Sequence, residues 1–234
     1  MLETLRDRGA VEGARTLYYV PMIHTAQELG ELGPAIKDIK ETVYGEKAAR
    51  ADEREIEHLW HFIRWRVFET VPNVPGLIIY QDGLPVGPRE KIRALFALTL
   101  ADYPASPLFR LMKELIDRGA ILEGTEDIAL VRKRIQVCQE ISRLLIRYQN
   151  PKDVEKFITQ KMTEHDDLIK RADQFIANRI NETLPPQAKG LLFMGLHHRV
   201  DEEIRRQQDA GLLSSPIEVI HILKLEIEKR DPNY

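Results

Sequence analysis

Short, unbroken hydrophobic runs alternate along the chain with longer stretches of helical periodicity. Each run is too short for a stable helix and has no polar alternation, which is typical of a strand buried on both faces. The helical stretches between the runs are long enough to cross a sheet, so we expect the strands to be parallel. The pattern predicts an α/β fold with a largely parallel sheet of about five strands and helices on both faces. The predicted strands are residues 17–23, 76–80, 119–122, 190–194 and 217–223.

Apolar residues recur at spacings of three and four between these runs, which is the period of an amphipathic helix. In the clearest early example, Ile56, Leu59 and Ile63 share one face, and Pro72 ends the pattern. Within the first strand, Pro21 indicates a bulge or an early end, because proline cannot donate a ladder hydrogen bond. The predicted helices are residues 26–41, 50–71, 88–100, 108–118, 127–149, 151–183 and 200–210.

The two longest predicted helices follow one another and predict a helical hairpin over residues 127–183, inserted between strands three and four. Asn150 and Pro151 separate them as the N-cap and first-turn residues of the second helix. We expect the 234 residues to form a single domain that carries this insertion. Alternating spacings of four and three in the second helix resemble a short coiled-coil seam, which predicts a homodimer. The seam consists of Ile158, Met162, His165, Ile169, Ala172 and Ile176.

Composition and charge exclude several classes of protein. The formal net charge is −3, so a nucleic-acid or anionic-membrane partner is not expected. No apolar run reaches the length of a membrane span, and residues 1–13 are too charged for a secretory signal. The single cysteine, Cys138, excludes an intrachain disulfide and is expected to be a core thiol because it lies on an apolar stripe. These features predict a cytoplasmic protein.

Titratable side chains follow four of the predicted strands. Because the carboxyl ends of parallel strands open on one edge of a sheet, we expect these side chains to lie close together. Glu126 and Asp127 also suit the positive end of a helix dipole, and adjacent histidines cannot both face inward. The candidates are His24 after the first strand, Asp82 after the second, Glu123, Glu126 and Asp127 after the third, and His197, His198 and Arg199 after the fourth.

Imidazoles beside carboxylates suit either a divalent metal ion or metal-free acid–base hydrolysis. In the metal version, His24, Glu123 and His198 are the expected ligands, and an open position on the ion activates water. In the metal-free version, a histidine deprotonates water, Asp82 or Glu123 orients the imidazole, and Arg199 stabilises the developing negative charge. The sequence does not choose between the two carboxylates.

The end of the fourth predicted strand reads Gly195-Leu196-His197-His198. It resembles the GxxH motif of the superfamily that joins TraB pheromone-shutdown proteins, Tiki metalloproteases, ChaN-like haem-binding proteins and erythromycin esterases. Its early counterpart here is Pro21-Met22-Ile23-His24, which keeps the histidine but has proline in place of glycine. The resemblance implies one such motif after the first strand, a second late in the chain, and an acid at a strand end between them. Asp82 or Glu123 would be that acid.

These observations predict a hydrolase with a His/carboxylate site at the carboxyl ends of the parallel strands. Its cofactor would be a divalent metal ion in the metal version, and its substrate a small or peptide-like molecule. The alternative is a non-catalytic protein that binds a ligand or cofactor and self-associates through the helical hairpin. Oligomeric state separates the two hypotheses, because a monomer with hydrolytic activity excludes the second.

Overall fold

The computed structural model describes residues 13–22, 45–147 and 154–223. The predicted helix over 26–41 lies outside these ranges. The strands are β1 (Arg15–Met22), β2 (Ile78–Gln81), β3 (Ile121–Glu123), β4 (Lys189–Gly195) and β5 (Ile217–His221). The helices are α1 (Glu46–Thr70), α2 (Arg89–Asp102), α3 (Pro107–Asp117), α4 (Ile128–Arg147), α5 (Glu155–Thr183) and α6 (Val200–Asp209).

The five strands form one sheet in the order β3-β2-β4-β1-β5, and every neighbouring pair is parallel. The structure therefore confirms the predicted α/β fold. Val20 of β1 lies opposite Phe193 of β4, and Ile79 of β2 lies opposite Leu191 of β4. Because all five strands run in one direction, their carboxyl ends share one edge of the sheet.

Pro21 lies inside β1, and the strand neither bulges nor ends there. The reason is its position relative to β5. Tyr19 accepts a hydrogen bond from the N–H of Ile222, so the backbone of Tyr19, and of Pro21 two residues later, faces the β5 side. The pairing with β5 stops at Tyr19, so a donor at Pro21 would have no strand to bond. The proline therefore costs no ladder hydrogen bond.

Helices cover both faces of the sheet, which matches the continuously apolar strands. Alternate strand residues, such as Val20, Ile79 and Phe193, pack against α1, α2 and α3. The residues between them, such as Tyr19, Tyr80 and Leu192, pack against α5 and α6. Buried helix residues that contribute to these two cores are Trp60, Ile63, Val67, Ile92, Leu111, Met112 and Leu115 on the first face, and Ile176, Ala177, Ile180, Val200 and Ile204 on the second.

Helices α4 and α5 pack against each other through a small apolar cluster of Leu130, Val137 and Leu168. An ion pair of 2.6 Å between Lys161 Nζ and Glu140 Oε2 supports this contact. The connection between the helices, residues 148–153, lies outside the described ranges, so the hairpin insertion stays a prediction. No helix in the described part of the chain is long and apolar enough to cross a membrane.

The predicted seam on α5 is buried only towards its carboxyl end. Ile169, Ala172 and Ile176 are buried, whereas Met162 is 54% exposed. Self-association through the seam therefore stays a prediction. The prediction that Cys138 is a core thiol is wrong, because its side chain is exposed and the neighbouring Val137 occupies the buried position on α4.

The buried Arg15 connects the start of β1 to the end of α5 and to the loop before β5. Its side chain has no exposed surface. The guanidinium donates to the backbone oxygen of Asn181 at 2.8 Å, to its Oδ1 at 2.8 Å, and to the backbone oxygen of Leu184 at 3.3 Å. It also donates to the backbone oxygen of Ser215. These acceptors are all uncharged, and burial lowers the pKa of Arg15.

Candidate functional site

Three side chains meet at the edge where β2, β3 and β4 end. Asp82 follows β2, Glu126 lies in the loop after β3, and His198 lies in the loop after β4. One potential ligand atom from each of these residues lies within 4.8 Å of the other two. Glu126 and His198 are buried, and Asp82 is half-buried. We refer to Asp82, Glu126 and His198 as the strand-end cluster.

Backbone contacts hold the two carboxylates of the strand-end cluster. Asp82 continues the ladder beyond β2, since its N–H donates to the oxygen of Phe193 at 2.9 Å. Its Oδ2 lies 3.4 Å from the backbone nitrogen of Gly195. A Cβ at Gly195 would lie 3.0 Å from that same oxygen, so glycine is what lets the carboxylate approach β4. Glu126 Oε1 accepts from the N–H of Gly83 at 3.3 Å.

His198 is oriented by a buried carboxylate on α5. Its Nδ1 lies 2.5 Å from Asp173 Oδ1, and the other oxygen of Asp173 accepts from the backbone N–H of Arg199 at 2.8 Å. A carboxylate at Nδ1 assigns the proton to that nitrogen, so the lone pair of the neutral ring is on Nε2. Nε2 lies 3.5 Å from Asp82 Oδ2 and therefore faces the strand-end cluster.

The side chain of Arg134, on α4, lies within the strand-end cluster. One terminal nitrogen is 2.8 Å from His198 Nε2. The other is 2.8 Å from Glu126 Oε1 and 3.5 Å from Asp82 Oδ1. The side chain is 13% exposed, so it reaches the cluster from the protein interior rather than through bulk water. Arg134 is the charge that offsets the two carboxylates.

Burial and neighbouring charges shift the pKa values of two members of the strand-end cluster. Burial, together with the adjacent Asp82 carboxyl group, raises the pKa of Glu126 to about 7, and the positive charge of Arg134 opposes this. For His198, burial favours the neutral ring, but the hydrogen bond to Asp173 and the charge of Asp82 outweigh it, so its pKa is raised. Both groups hold protons more tightly than in the unfolded chain.

We expect Glu126 to contribute a fall in the free energy of unfolding as the pH rises from about 4.5 to about 7, and Glu126→Gln to lack that contribution. A carboxyl with a raised pKa in the folded protein favours folding while it is protonated, and this contribution is lost as the proton leaves. The raised pKa of His198 acts in the same direction, so part of the fall remains in the variant. We expect a difference on the order of 2 kcal/mol between the wild type and the variant.

Urea unfolding at pH 5 and pH 8, in the presence of EDTA, measures this difference. Glu182→Gln is the matched control, because the Glu182 side chain is 65% exposed on α5. An equal pH dependence in the wild type and in Glu126→Gln would contradict the assignment of a buried, proton-binding carboxyl to this position.

The structure brings together three of the sequence candidates, Asp82, Glu126 and His198, and Glu123 is not part of their cluster. Glu123 is buried, and its Oε1 accepts from Arg89 Nε at 2.7 Å. Its Oε2 lies 3.5 Å from a terminal nitrogen of Arg179 on α5. Glu123 lies away from the strand-end cluster because successive side chains of β3 point to opposite faces of the sheet. Leu122 faces the layer of α1, α2 and α3, so Glu123 faces α5 and is paired there.

The remaining candidates are placed at the surface or outside the described residues. The side chain of Arg199 is 60% exposed and lies 3.8 Å from Glu202, so only its backbone contacts the Asp173 network. His197 is exposed. Asp127 accepts from the N–H of Ala129 at 2.7 Å, which is the predicted helix-terminal role. His24 lies outside the described ranges.

Sequence reasoning missed Asp173 and Arg134, which lie in the interior of long helices. Asp173 is four residues after Ile169 and three before Ile176, so it shares the buried face of α5. A single carboxylate on an apolar face was the available signal, because such a group needs a partner. Arg134 had no comparable signal, since α4 carries many cationic side chains.

A cleft of about 700 Å³ lies along α5 and α6, next to the Asp173 network. Asp173 and His197 line it, whereas Arg134 and the three residues of the strand-end cluster do not. Charges of both signs surround it, contributed by Asp166, Lys170, Arg199, Glu202, Glu203 and Arg206. The cleft therefore offers a binding surface beside the strand-end cluster, and its mixed charges do not favour either anionic or cationic ligands.

Comparison of the chain with protein-family models, curated proteins and solved structures gave no match. The resemblance to the TraB and Tiki superfamily stays a prediction from the GxxH motif.

Proposed function

We propose that this protein is a hydrolase that activates water at the strand-end cluster. The observation that supports the proposal is the convergence of Asp82, Glu126 and His198 from three separate loops at the carboxyl edge of a parallel sheet. Open α/β sheets place their active sites at this edge. Buried carboxylates next to an imidazole with perturbed pKa values are typical of a catalytic centre rather than of a surface ion pair.

Each group has a chemical role in the proposed reaction. Asp173 holds the His198 ring so that its Nε2 lone pair is directed at the strand-end cluster. The ring and the carboxylates increase the nucleophilicity of water, either as general bases or through a bound divalent ion, and both routes use the same three residues. In the metal-free route, Arg134, rather than Arg199, is in position to stabilise a developing oxyanion, because it lies 2.8 Å from His198.

The proposed substrate is a small or peptide-like molecule that binds in the cleft along α5 and α6. The mixed charges of this cleft match a zwitterionic ligand such as a peptide end better than a polyanion. A cytoplasmic location, and a role for His24 in the site, remain part of the proposal on the sequence grounds given above.

A comparison of His198→Ala with His197→Ala tests the proposal. The two histidines are adjacent, but only His198 belongs to the strand-end cluster, so His197→Ala controls for the loss of an imidazole from the same loop. Purified protein would be assayed against p-nitrophenyl esters, p-nitrophenyl phosphate and a fluorogenic peptide amide, with and without added divalent cations. We expect turnover of at least one class, with kcat reduced about a thousandfold by His198→Ala. His197 lines the substrate cleft, so His197→Ala should affect KM more than kcat.

Two outcomes would overturn the hydrolase proposal. One is equal turnover by the wild type and His198→Ala. The other is no turnover of any of the three substrate classes by wild-type protein whose circular dichroism shows it to be folded. The second outcome favours the non-catalytic binding protein that the sequence offered as an alternative.

A further inference from the structure

We infer that the strand-end cluster binds one divalent transition-metal ion, with Asp82, Glu126 and His198 as ligands, and that Arg134 occupies this position in the metal-free protein. The inference rests on the site of the proposed function and adds its cofactor. The ligands expected from the sequence were His24, Glu123 and His198. In the proposed set, Glu126 replaces Glu123, and Asp82 is the third ligand in place of His24. It also identifies Arg134 as a competitor of the metal ion.

The distance between two of the proposed ligand atoms is that of neighbouring ligands on a single ion, and all three atoms lie within 4.8 Å of one another. Two ligand atoms that are each about 2.1 Å from one ion in tetrahedral geometry lie about 3.4 Å apart. Asp82 Oδ2 and His198 Nε2 are 3.5 Å apart. One imidazole and two carboxylates favour the borderline divalent ions, such as zinc, over calcium, which prefers an all-oxygen shell. Three protein ligands also leave a coordination position for water, as in catalytic zinc sites.

The surroundings of His198 are those of a metal-bound histidine. Metal-ligating histidines usually donate their second ring N–H to a carboxylate, which fixes the tautomer and makes the ligating nitrogen more basic. Asp173 has this position, because its Oδ1 is 2.5 Å from Nδ1 and the residue is buried. The absence of a side chain at Gly195 leaves room for the Asp82 carboxylate next to the ring.

Glu126 supplies an independent observation that points to a missing cation. Its side chain is almost completely buried, and its Oε2 has no hydrogen-bond partner among the described residues. A buried carboxylate oxygen without a donor costs free energy. A proton shared with Asp82 removes that cost while Glu126 is protonated, and a cation bound between Glu126 and its two neighbours in the cluster would remove it once the carboxyl is ionised.

Arg134 contacts the same atoms that the ion would use. Its guanidinium bonds His198 Nε2 and Glu126 Oε1, and it lies 3.5 Å from Asp82. The Nε2 lone pair cannot bond a guanidinium and a metal ion at the same time, so metal binding must release Arg134. When Asp82, Glu126 and Asp173 are ionised and His198 is neutral, one guanidinium leaves an excess of negative charge, and a divalent ion would balance it. Removing the guanidinium should therefore tighten metal binding.

Calorimetric titration of the full, EDTA-stripped chain with ZnCl₂ at pH 8, against a competing chelator, tests both parts of the inference. We expect one tightly bound ion per chain. His198→Ala should weaken binding at least a hundredfold, and His197→Ala should leave it unchanged. Arg134→Met, which keeps much of the side-chain volume without the charge, should bind zinc about tenfold more tightly than the wild type.

The outcomes separate this inference from the proposed function. Absence of a stoichiometric tight site in a wild type whose hydrolysis requires His198 would overturn the metal site and leave the hydrolase proposal standing. Tight zinc binding that depends on His198, in a protein without hydrolytic activity, would support the metal site and overturn the hydrolase proposal. Equal losses in His197→Ala and His198→Ala would also overturn the site, and equal or weaker binding by Arg134→Met would overturn the role of Arg134. If His198→Ala does not fold, Asp82→Asn provides the same comparison.

Discussion

Replacing Asp173 with asparagine is expected to reduce hydrolysis about a hundredfold, although Asp173 belongs to no strand-end loop. Groups that orient a catalytic or metal-bound histidine typically contribute 10–100-fold to activity or metal affinity, which makes about a hundredfold the expected loss. Asparagine is nearly isosteric but cannot supply the negative charge that Asp173 places 2.5 Å from His198 Nδ1. We therefore also expect the pKa of His198 to fall in the metal-free variant, because the carboxylate raises it in the wild type.

NMR titration of histidine-labelled, metal-free protein measures that pKa, and it separates positioning from a general loss of structure. Asp167→Asn is the matched control, because Asp167 lies on the same helix, is 66% exposed and does not line the cleft. An unchanged pKa of His198 together with unchanged activity in Asp173→Asn would show that the 173–198 contact has no functional role.

Replacing Arg15 with methionine is expected to lower the free energy of unfolding by about 4 kcal/mol. Methionine fills much of the buried volume but leaves the backbone oxygens of Asn181, Leu184 and Ser215 without the donor that now satisfies them. Each buried acceptor left without a donor typically costs about 1–3 kcal/mol, and partial relaxation of the loop reduces the sum. Few single substitutions elsewhere in the sheet would disturb three separate segments of the chain at once.

Urea unfolding of Arg15→Met beside Arg110→Met measures this loss. Arg110 is exposed on α3, so the same chemical change there should alter stability by no more than about 0.5 kcal/mol. A loss below about 1 kcal/mol in Arg15→Met would show that water replaces the guanidinium at little cost.

The fold was predictable because burial on both faces leaves a strong pattern in the sequence. Strands that pack against two helical layers must be apolar at every position, and β4 shows this over Leu191 to Met194. The predicted ends of the strands were less accurate, because the end of a strand depends on where the neighbouring strand stops pairing with it, and that neighbour is distant in the sequence. Pro21 illustrates the difference, because proline is excluded from a central strand only where a neighbour needs its N–H, and β5 has stopped before that point.

The candidate site was only partly predictable, because its geometry depends on contacts between distant parts of the chain. The strand-end rule identified Asp82, Glu126 and His198 as candidates, since it needs only the direction of the strands. The choice between Glu123 and Glu126 depends on the face of β3 from which Glu123 projects, on the path of the loop that carries Glu126, and on the arginine that each one meets. Arg134 and Asp173 come from α4 and α5, and no local pattern indicates which turn of a long helix faces a loop.

The pairing of β1 with β4 and β5 has a consequence for biosynthesis. The first strand emerges from the ribosome long before its partners, and the contact between Arg15 and Ser215 spans 200 positions. Until β4 and β5 have been synthesised, β1 lacks both of its partner strands, which makes the nascent chain prone to aggregate. Translation of this protein should therefore depend on a holding chaperone more than that of a protein whose early segments pair with each other.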